Sequence, residues 1–328
     1  MDRAIQQTDY DAFSCKICAI SKMYLPSSKE LEFCGMRGFS ELHMAYAQQL
    51  KGLNRRAYGK VQTAIRQGQP LMNYGTYLRT LIVDIECKSF LENAANENSK
   101  IQILNLGCGS DLRMLFFLNQ YPQLTWIDLD FAESVSLKAK ILKKNEQFRN
   151  TLGEPQGADD TEYISDRYLL KSCNLNHTQK VLDILLESSV PEVPTLVITE
   201  CVLCYMDLSQ SQALIDNVVS FYETGTWVSY DPIGGNEADD RFGAIMQANL
   251  WESRQLELPT LMFFNSVEKY AQRFEDETKH TQIETVWQYY IQQIPQEEKN
   301  RLKSLQFLDE IEELKLILSH YVHSKSSW

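Results

Sequence analysis

Positive charge is what this chain is short of. Its 328 residues hold 32 lysines and arginines against 44 aspartates and glutamates, a formal net charge of −12. A nucleic-acid partner needs a basic face to meet phosphates, so none is expected. Long apolar runs are missing as well. No segment approaches the roughly 18 apolar residues of a membrane span, so no membrane partner is expected. The opening residues 1–13 carry no apolar core of the secretory kind, and the eight cysteines are therefore expected as reduced thiols in the cytoplasm. Histidine is scarce: His43, His177, His280, His320 and His323 form no cluster of metal-ligand spacing. Two C-x-x-C pairs are present, Cys15/Cys18 and Cys201/Cys204, but 183 positions separate Cys18 from Cys201. Zinc ribbons set their pairs far closer, so no metal site is expected. The G-x-S-x-G elbow of serine hydrolases is absent, and no internal repeat or low-complexity tract is found.

What is there is organised around residues 101–130. Ile101, Ile103, Leu104 and Leu106 make a short apolar run of the kind a buried parallel strand carries. Gly107 and Gly109 follow at once and allow a tight turn close to a ligand. Ser110 or Asp111 is placed to cap a helix with Leu112, Leu115 and Leu118 on one face. A second strand over 125–129 brings Asp128 to its carboxyl end, 21 residues after Gly107. In a doubly wound sheet that end faces the ligand crevice, where an acid can bind ribose hydroxyls. The dinucleotide fingerprint needs a third glycine at position 112, which is Leu112 here. A G-x-G turn followed by an acid after the second strand is the pattern of S-adenosylmethionine-dependent methyltransferases, whose ligand has no pyrophosphate to cradle.

Along the rest of the chain, residues 1–99 read as helical, with a capped start expected at Thr8 and the segment Asn73-Tyr-Gly-Thr-Tyr-Leu-Arg-Thr opening another helix. Arg79 in that segment is suited to grip a carboxylate with two parallel hydrogen bonds. A polar helix is expected over 134–149, a loop over 151–165, and a third strand over 168–173 with Asn174 and Leu175 just past it. Asn176 is the expected cap of the next helix. A fourth, mostly apolar strand over 194–200 delivers Glu200 to the crevice, and a fifth covers 226–230. Strands alternating with helices predict an α/β fold of Rossmann type with a mostly parallel, seven-stranded sheet. One domain is expected over 1–328: a helical N-terminal lid (1–99), a cofactor-binding core (100–235), a substrate-side insertion (236–294), and a closing helix and strands (295–328). Nothing in the sequence demands more than a monomer.

Several blocks together resemble one family, the leucine carboxyl methyltransferases that act on the catalytic subunit of protein phosphatase type 2A. They are Tyr10-Asp-Ala-Phe-Ser-Cys-Lys, the segment from Asn73, Asn105-Leu-Gly-Cys-Gly-Ser-Asp-Leu-Arg, Thr199-Glu-Cys-Val-Leu-Cys-Tyr-Met, Tyr230-Asp-Pro-Ile-Gly-Gly, Asp240-Arg-Phe-Gly-Ala-Ile-Met and Ser304-Leu-Gln-Phe-Leu-Asp-Glu. The resemblance implies a class I fold and contacts to S-adenosyl-L-methionine from Lys16, Arg79, Gly107, Asp128, Asn174, Leu175 and Glu200. Where the family commonly has Asp-Leu after strand three, this chain has Asn174-Leu175. It also implies methyl transfer to the α-carboxylate of the phosphatase subunit's C-terminal leucine, a methyl ester that regulates phosphatase assembly. Tyr205 and Arg241 are the candidates to position that carboxylate. The alternatives are O-methylation of a small carboxylate or hydroxyl compound, and non-catalytic binding of the phosphatase tail.

Overall fold

The computed structural model of the protein describes residues 2–27, 29–95, 100–157, 159–235, 239–275, 280–309 and 311–328. Four helices come first: α1 (Asp2–Ser21), α2 (Ser40–Leu53), α3 (Arg55–Gln67) and α4 (Pro70–Ala95). Thr8 does not start α1 but lies inside it, its hydroxyl turned back to the Ile5 carbonyl at 2.6 Å. Asn73 likewise lies within α4, which begins at Pro70, a residue whose missing N–H costs nothing in the first turn. Tyr74, Tyr77, Leu78, Leu81 and Ile82 bury one long stripe of α4, which holds Arg79 and Asp84 at fixed places over the sheet.

Then follow β1 (Ile101–Leu106), α5 (Arg113–Gln120), β2 (Leu124–Asp130), α6 (Ala132–Lys144) and α7 (Glu146–Leu152). The single helix expected over 134–149 is thus two, because Asn145 breaks it and caps α7 by accepting from the Phe148 amide at 3.3 Å. Next come β3 (Tyr163–Ile164), β4 (Tyr168–Ser172), α8 (Thr178–Ser188), β5 (Thr195–Glu200), α9 (Leu208–Phe221) and β6 (Gly225–Pro232). His177, not Asn176, holds the N-cap position of α8. The chain closes with α10 (Phe242–Arg254), α11 (Val267–Ala271), β7 (His280–Thr285), α12 (Val286–Gln292), α13 (Gln296–Leu305), α14 (Ile311–Ser319) and β8 (Tyr321–Ser327).

Among the described residues the sheet has eight strands, not seven, in the order β3-β4-β2-β1-β5-β6-β8-β7. The five inner strands β4, β2, β1, β5 and β6 run parallel, while β3, β8 and β7 add antiparallel edges. The closing segment 295–328 holds two helices and one strand, β8, in place of the expected helix and two strands, and the two strands not foreseen, β3 and β7, are both edges. β3 is two residues long, inside the stretch expected as a loop. β7 lies inside the span expected as an insertion, so residues 236–294 are not purely an addition to the sheet. Its sequence His-Thr-Gln-Ile-Glu-Thr pairs with β8 alone and stays half-exposed, so it lacks the apolar alternation that marks a buried strand.

Helices cover both faces. One core joins Ile101, Ile103, Trp126, Leu196 and Ile198 to α1–α7; the other joins Leu104, Leu106, Ile127, Leu129 and Val197 to α8 and α9. The alternation along β1 and β2 assigns odd and even residues to opposite faces. After β1 the chain winds towards β4 on one side, and β5 returns on the other side of β1, in register with it. That reversal opens a crevice at the carboxyl ends of β1 and β5. Gly107 and Glu200 stand at its two lips.

Candidate active site

Gly107 takes φ +70°, which an L side chain adopts only with strain, and a Cβ there would come within 2.5 Å of Val202. The amides of Gly107 and Cys108 both donate to the Leu129 carbonyl, at 2.8 and 3.2 Å, pinning the turn to β2. Leu112, not Ser110 or Asp111, holds the N-cap position of α5, and Asp111 Oδ1 accepts from the Arg113 amide at 3.0 Å.

Behind the turn lies a cluster of charges. Arg113 is buried and donates through Nε to Asp84 (2.5 Å) and through Nη1 to Asp111 (2.9 Å) and Glu200 Oε2 (2.7 Å). Arg79 donates Nε to the other oxygen, Glu200 Oε1, at 2.5 Å, and its guanidinium lies 5.9 Å over the Tyr230 ring. Burial opposes the charge on Glu200, yet Arg113, Arg79 and Lys16 together outweigh it and bring the carboxyl down to about 2. Asp111 is likewise held below its ordinary range: burial is outweighed by Arg113 and Lys16. Lys16, on α1, is half-buried among these groups, and burial together with the Arg113 charge lowers its pKa. Among the described residues it makes no hydrogen bond and no ion pair. A cation left without an anion here suits a ligand carboxylate.

Seven positions before Lys16, on the same face of α1, Asp9 accepts from the Ser110 amide (2.6 Å) and hydroxyl (2.8 Å). Asp130, the last residue of β2, accepts from the Gly109 amide at 2.6 Å and from its neighbour Phe131 at 2.6 Å. Burial pushes its carboxyl up to about 6, the two amide donors offsetting only part of the effect. Cys173 donates its amide to the Asp130 carbonyl at 2.7 Å, which brings Asn174 and Leu175 alongside. Asn174 Oδ1 accepts from the Asn176 amide at 3.0 Å, which leaves it a second lone pair. Leu175 is buried in the same core as Val202 and Leu106.

Asp128 is elsewhere. It is fully buried, one oxygen accepting from Trp126 Nε1 (2.6 Å), the other from Lys138 (2.8 Å) and Tyr168 (2.7 Å). Two acids, Asp128 and Asp130, point to the same face of β2, and the earlier one is a full pleat short of the crevice. The expectation for Asp128 is therefore corrected: the acid at the crevice is Asp130.

Tyr205 ends a 3-10 turn, Leu203–Tyr205, just past Glu200, with Cys201, Tyr321 and Arg79 around it. Burial and the neighbouring thiols keep its hydroxyl protonated, well above the ordinary tyrosine range. Arg241 is not drawn in: it is exposed at the N-cap of α10, and its side chain makes no hydrogen bond or ion pair among the described residues. All eight cysteines are free. The structure thus brings together Lys16, Arg79, Gly107, Asn174, Leu175, Glu200 and Tyr205, and adds Asp9, Asp84, Asp111, Arg113 and Asp130. Asp84 had a signal, an acid inside the apolar run of residues 81–85; Arg113, in the block from Asn105, is told from a surface arginine only by its burial.

A doubly wound sheet with an antiparallel edge and an acid–glycine site at the switch point defines an S-adenosylmethionine-dependent methyltransferase of class I. A putative methyltransferase from Thermobifida fusca shares the fold, with a TM-score of 0.52 over 86% of this chain and 92% of that one, at 10% identity. The family model described as leucine carboxyl methyltransferase matches residues 4–219. Leucine carboxyl methyltransferase 1 of Eremothecium gossypii is 48% identical to this chain over the whole length of both. The protein of that name in Kluyveromyces lactis is 46% identical, over 100% of this chain and 99% of its own. The chain belongs to the leucine carboxyl methyltransferase family.

Proposed function

We propose that this enzyme methylates the α-carboxylate of the C-terminal leucine of the protein phosphatase type 2A catalytic subunit, forming a methyl ester that regulates phosphatase assembly. The observation that carries the reading is the charge cluster: Glu200 at the crevice lip, flanked by Arg79 and by Lys16, whose ammonium has no ion-pair partner among the described residues. It offers an anion for an ammonium and cations for a carboxylate, the two ends of an amino-acid moiety. S-adenosyl-L-methionine, when bound, supplies an electrophilic methyl group. Glu200 would hold its amino group, Arg79 and Lys16 its carboxylate, Asp130 its ribose hydroxyls, and Asn174 and Leu175 its adenine.

On the acceptor side the chemistry asks little of the protein in proton transfer. A terminal carboxyl has a pKa of roughly 3.5, so it arrives as an anion and needs no general base. What the chain must do is align that oxygen and keep water out. Tyr205, protonated and beside Arg79, can donate to the acceptor carboxylate and offset its desolvation. With eight free thiols the cytoplasm is the compartment that suits the protein. The test is transfer of labelled methyl to purified phosphatase catalytic subunit, intact or lacking its terminal leucine. Label on the intact subunit alone is the expected result. Label on neither, with the cofactor shown to bind, would refute the acceptor.

A further inference from the structure

Between Glu200 and α9 the backbone is forced into an unusual path. Cys201 has φ +57°, left-handed for a residue with a side chain, and its amide donates to the Tyr230 carbonyl at 2.7 Å. Such a conformation persists only where its surroundings over-determine it, and it concentrates at functional sites. The turn it leads into, residues 202–206, is closed internally by Tyr205 N to Val202 O at 3.0 Å and a long contact of 3.4 Å from Met206 N to Leu203 O. Two side chains from outside reach it: Asp231 of β6 accepts from Cys204, and Thr260 holds Leu203. Thr260, buried at 3% exposure, donates its hydroxyl to the Leu203 carbonyl at 3.1 Å. Thr260 is itself fixed, because its own carbonyl accepts from the amides of Phe263 and Phe264 at 3.2 and 2.9 Å. Around this bond Leu258 and Leu261 pack on Cys204, with Tyr205, Met246 and Leu250 against them. The Leu258 amide donates to Gln247 of α10 at 2.9 Å, so the segment before Thr260 is tied to that helix.

We propose that Thr260 is a positioning residue for methyl transfer, its hydroxyl fixing the turn that sets Tyr205 beside Arg79. The inference rests on the reading of Tyr205 as a donor to the acceptor carboxylate. It separates the two halves of the site. Glu200 is held by Arg79 and Arg113, neither of which touches Thr260, so the cofactor clamp stands without it. The Tyr205 hydroxyl, by contrast, is aimed by a turn whose Leu203 carbonyl is tied to the 255–264 segment through Thr260.

The experiment compares full-length wild type, Thr260→Val and Thr260→Ser. Valine keeps the shape and removes the donor; serine keeps the donor and tests whether Thr260→Val fails for lack of it. Three quantities are read: amide exchange of residues 202–206 with S-adenosylhomocysteine present, calorimetric affinity for S-adenosylhomocysteine, and kcat and KM on the phosphatase catalytic subunit. Thr260→Val is expected to raise exchange in the turn and lower kcat/KM for the acceptor roughly tenfold, a size typical of small misplacements. Its affinity for S-adenosylhomocysteine should stay at the wild-type value, and Thr260→Ser should restore both the exchange and the rate. Unchanged exchange in Thr260→Val would overturn the proposal, as would loss of S-adenosylhomocysteine affinity in step with kcat/KM. Tyr205→Phe with wild-type kinetics would instead refute the acceptor reading, and the exchange measurement then decides the role of Thr260 by itself.

Discussion

Replacing Glu200 by glutamine removes one charge from the centre of the cluster and keeps the shape. The wild-type carboxyl drops from 4.5 to about 2 on folding. A lowering of that size corresponds to roughly 3 kcal/mol of stability at neutral pH. Little solvent discount applies, since the Glu200 side chain is only 18% exposed. The sign follows from linkage. A carboxyl whose folded pKa lies below its unfolded value contributes stability above the unfolded pKa and loses it as pH falls through the folded one. Glu200→Gln is therefore expected to be about 3 kcal/mol less stable than wild type at pH 7, with the gap shrinking to under half by pH 3. Urea unfolding of both proteins across that range measures it. A gap that does not change with pH would mean that packing, not charge, accounts for the loss. A gap near zero at pH 7 would mean that Arg79 and Arg113 are satisfied without Glu200. The same variant should bind S-adenosylmethionine roughly ten- to a hundredfold more weakly, the size of one lost charge-assisted contact.

Other consequences are as specific. Asp128→Asn leaves the buried Lys138 ammonium without its anion, so it should cost about 3–5 kcal/mol in denaturant unfolding while the folded fraction binds S-adenosylhomocysteine normally. Asp130→Asn should do the reverse, with little change in stability and a clear loss of S-adenosylhomocysteine affinity by calorimetry. Because the Asp130 carboxyl ionises near 6, wild-type affinity should rise as pH climbs from 5 to 7, and Asp130→Asn should flatten that rise. Lys16→Met removes a half-buried, unpaired cation, so melting should not worsen, yet S-adenosylmethionine affinity should fall roughly tenfold. Wild-type affinity in that variant would take Lys16 out of the site.

How far the residues announce this structure depends on how local the cause is. β1 and β5 were legible because strands buried on both faces read as apolar runs, and Gly107 because it follows β1 directly. Glu200 was legible as a charge closing such a run. Asp128 and Asp130 were not separable by pattern, since both are acids on one face of one strand. Only the tertiary partners Lys138 and Tyr168 show which of them is core. Arg113 meets Asp84 from 29 positions away and Glu200 from 87, pairings that no local spacing encodes. β7 is not legible because an edge strand with one apolar side chain has no periodicity to detect. Arg241, chosen for its charge and motif, stands exposed outside the cluster, so a motif match fixed its neighbourhood without fixing its contact.

The decisive measurement is to locate the transferred methyl on the acceptor by mass spectrometry of phosphatase catalytic subunit treated with enzyme and S-adenosylmethionine. A single methyl on the C-terminal leucine, removed by mild alkali and absent with Glu200→Gln at limiting cofactor, is the expected result. A methyl on any side chain, or one that survives alkali, would contradict transfer to the α-carboxylate.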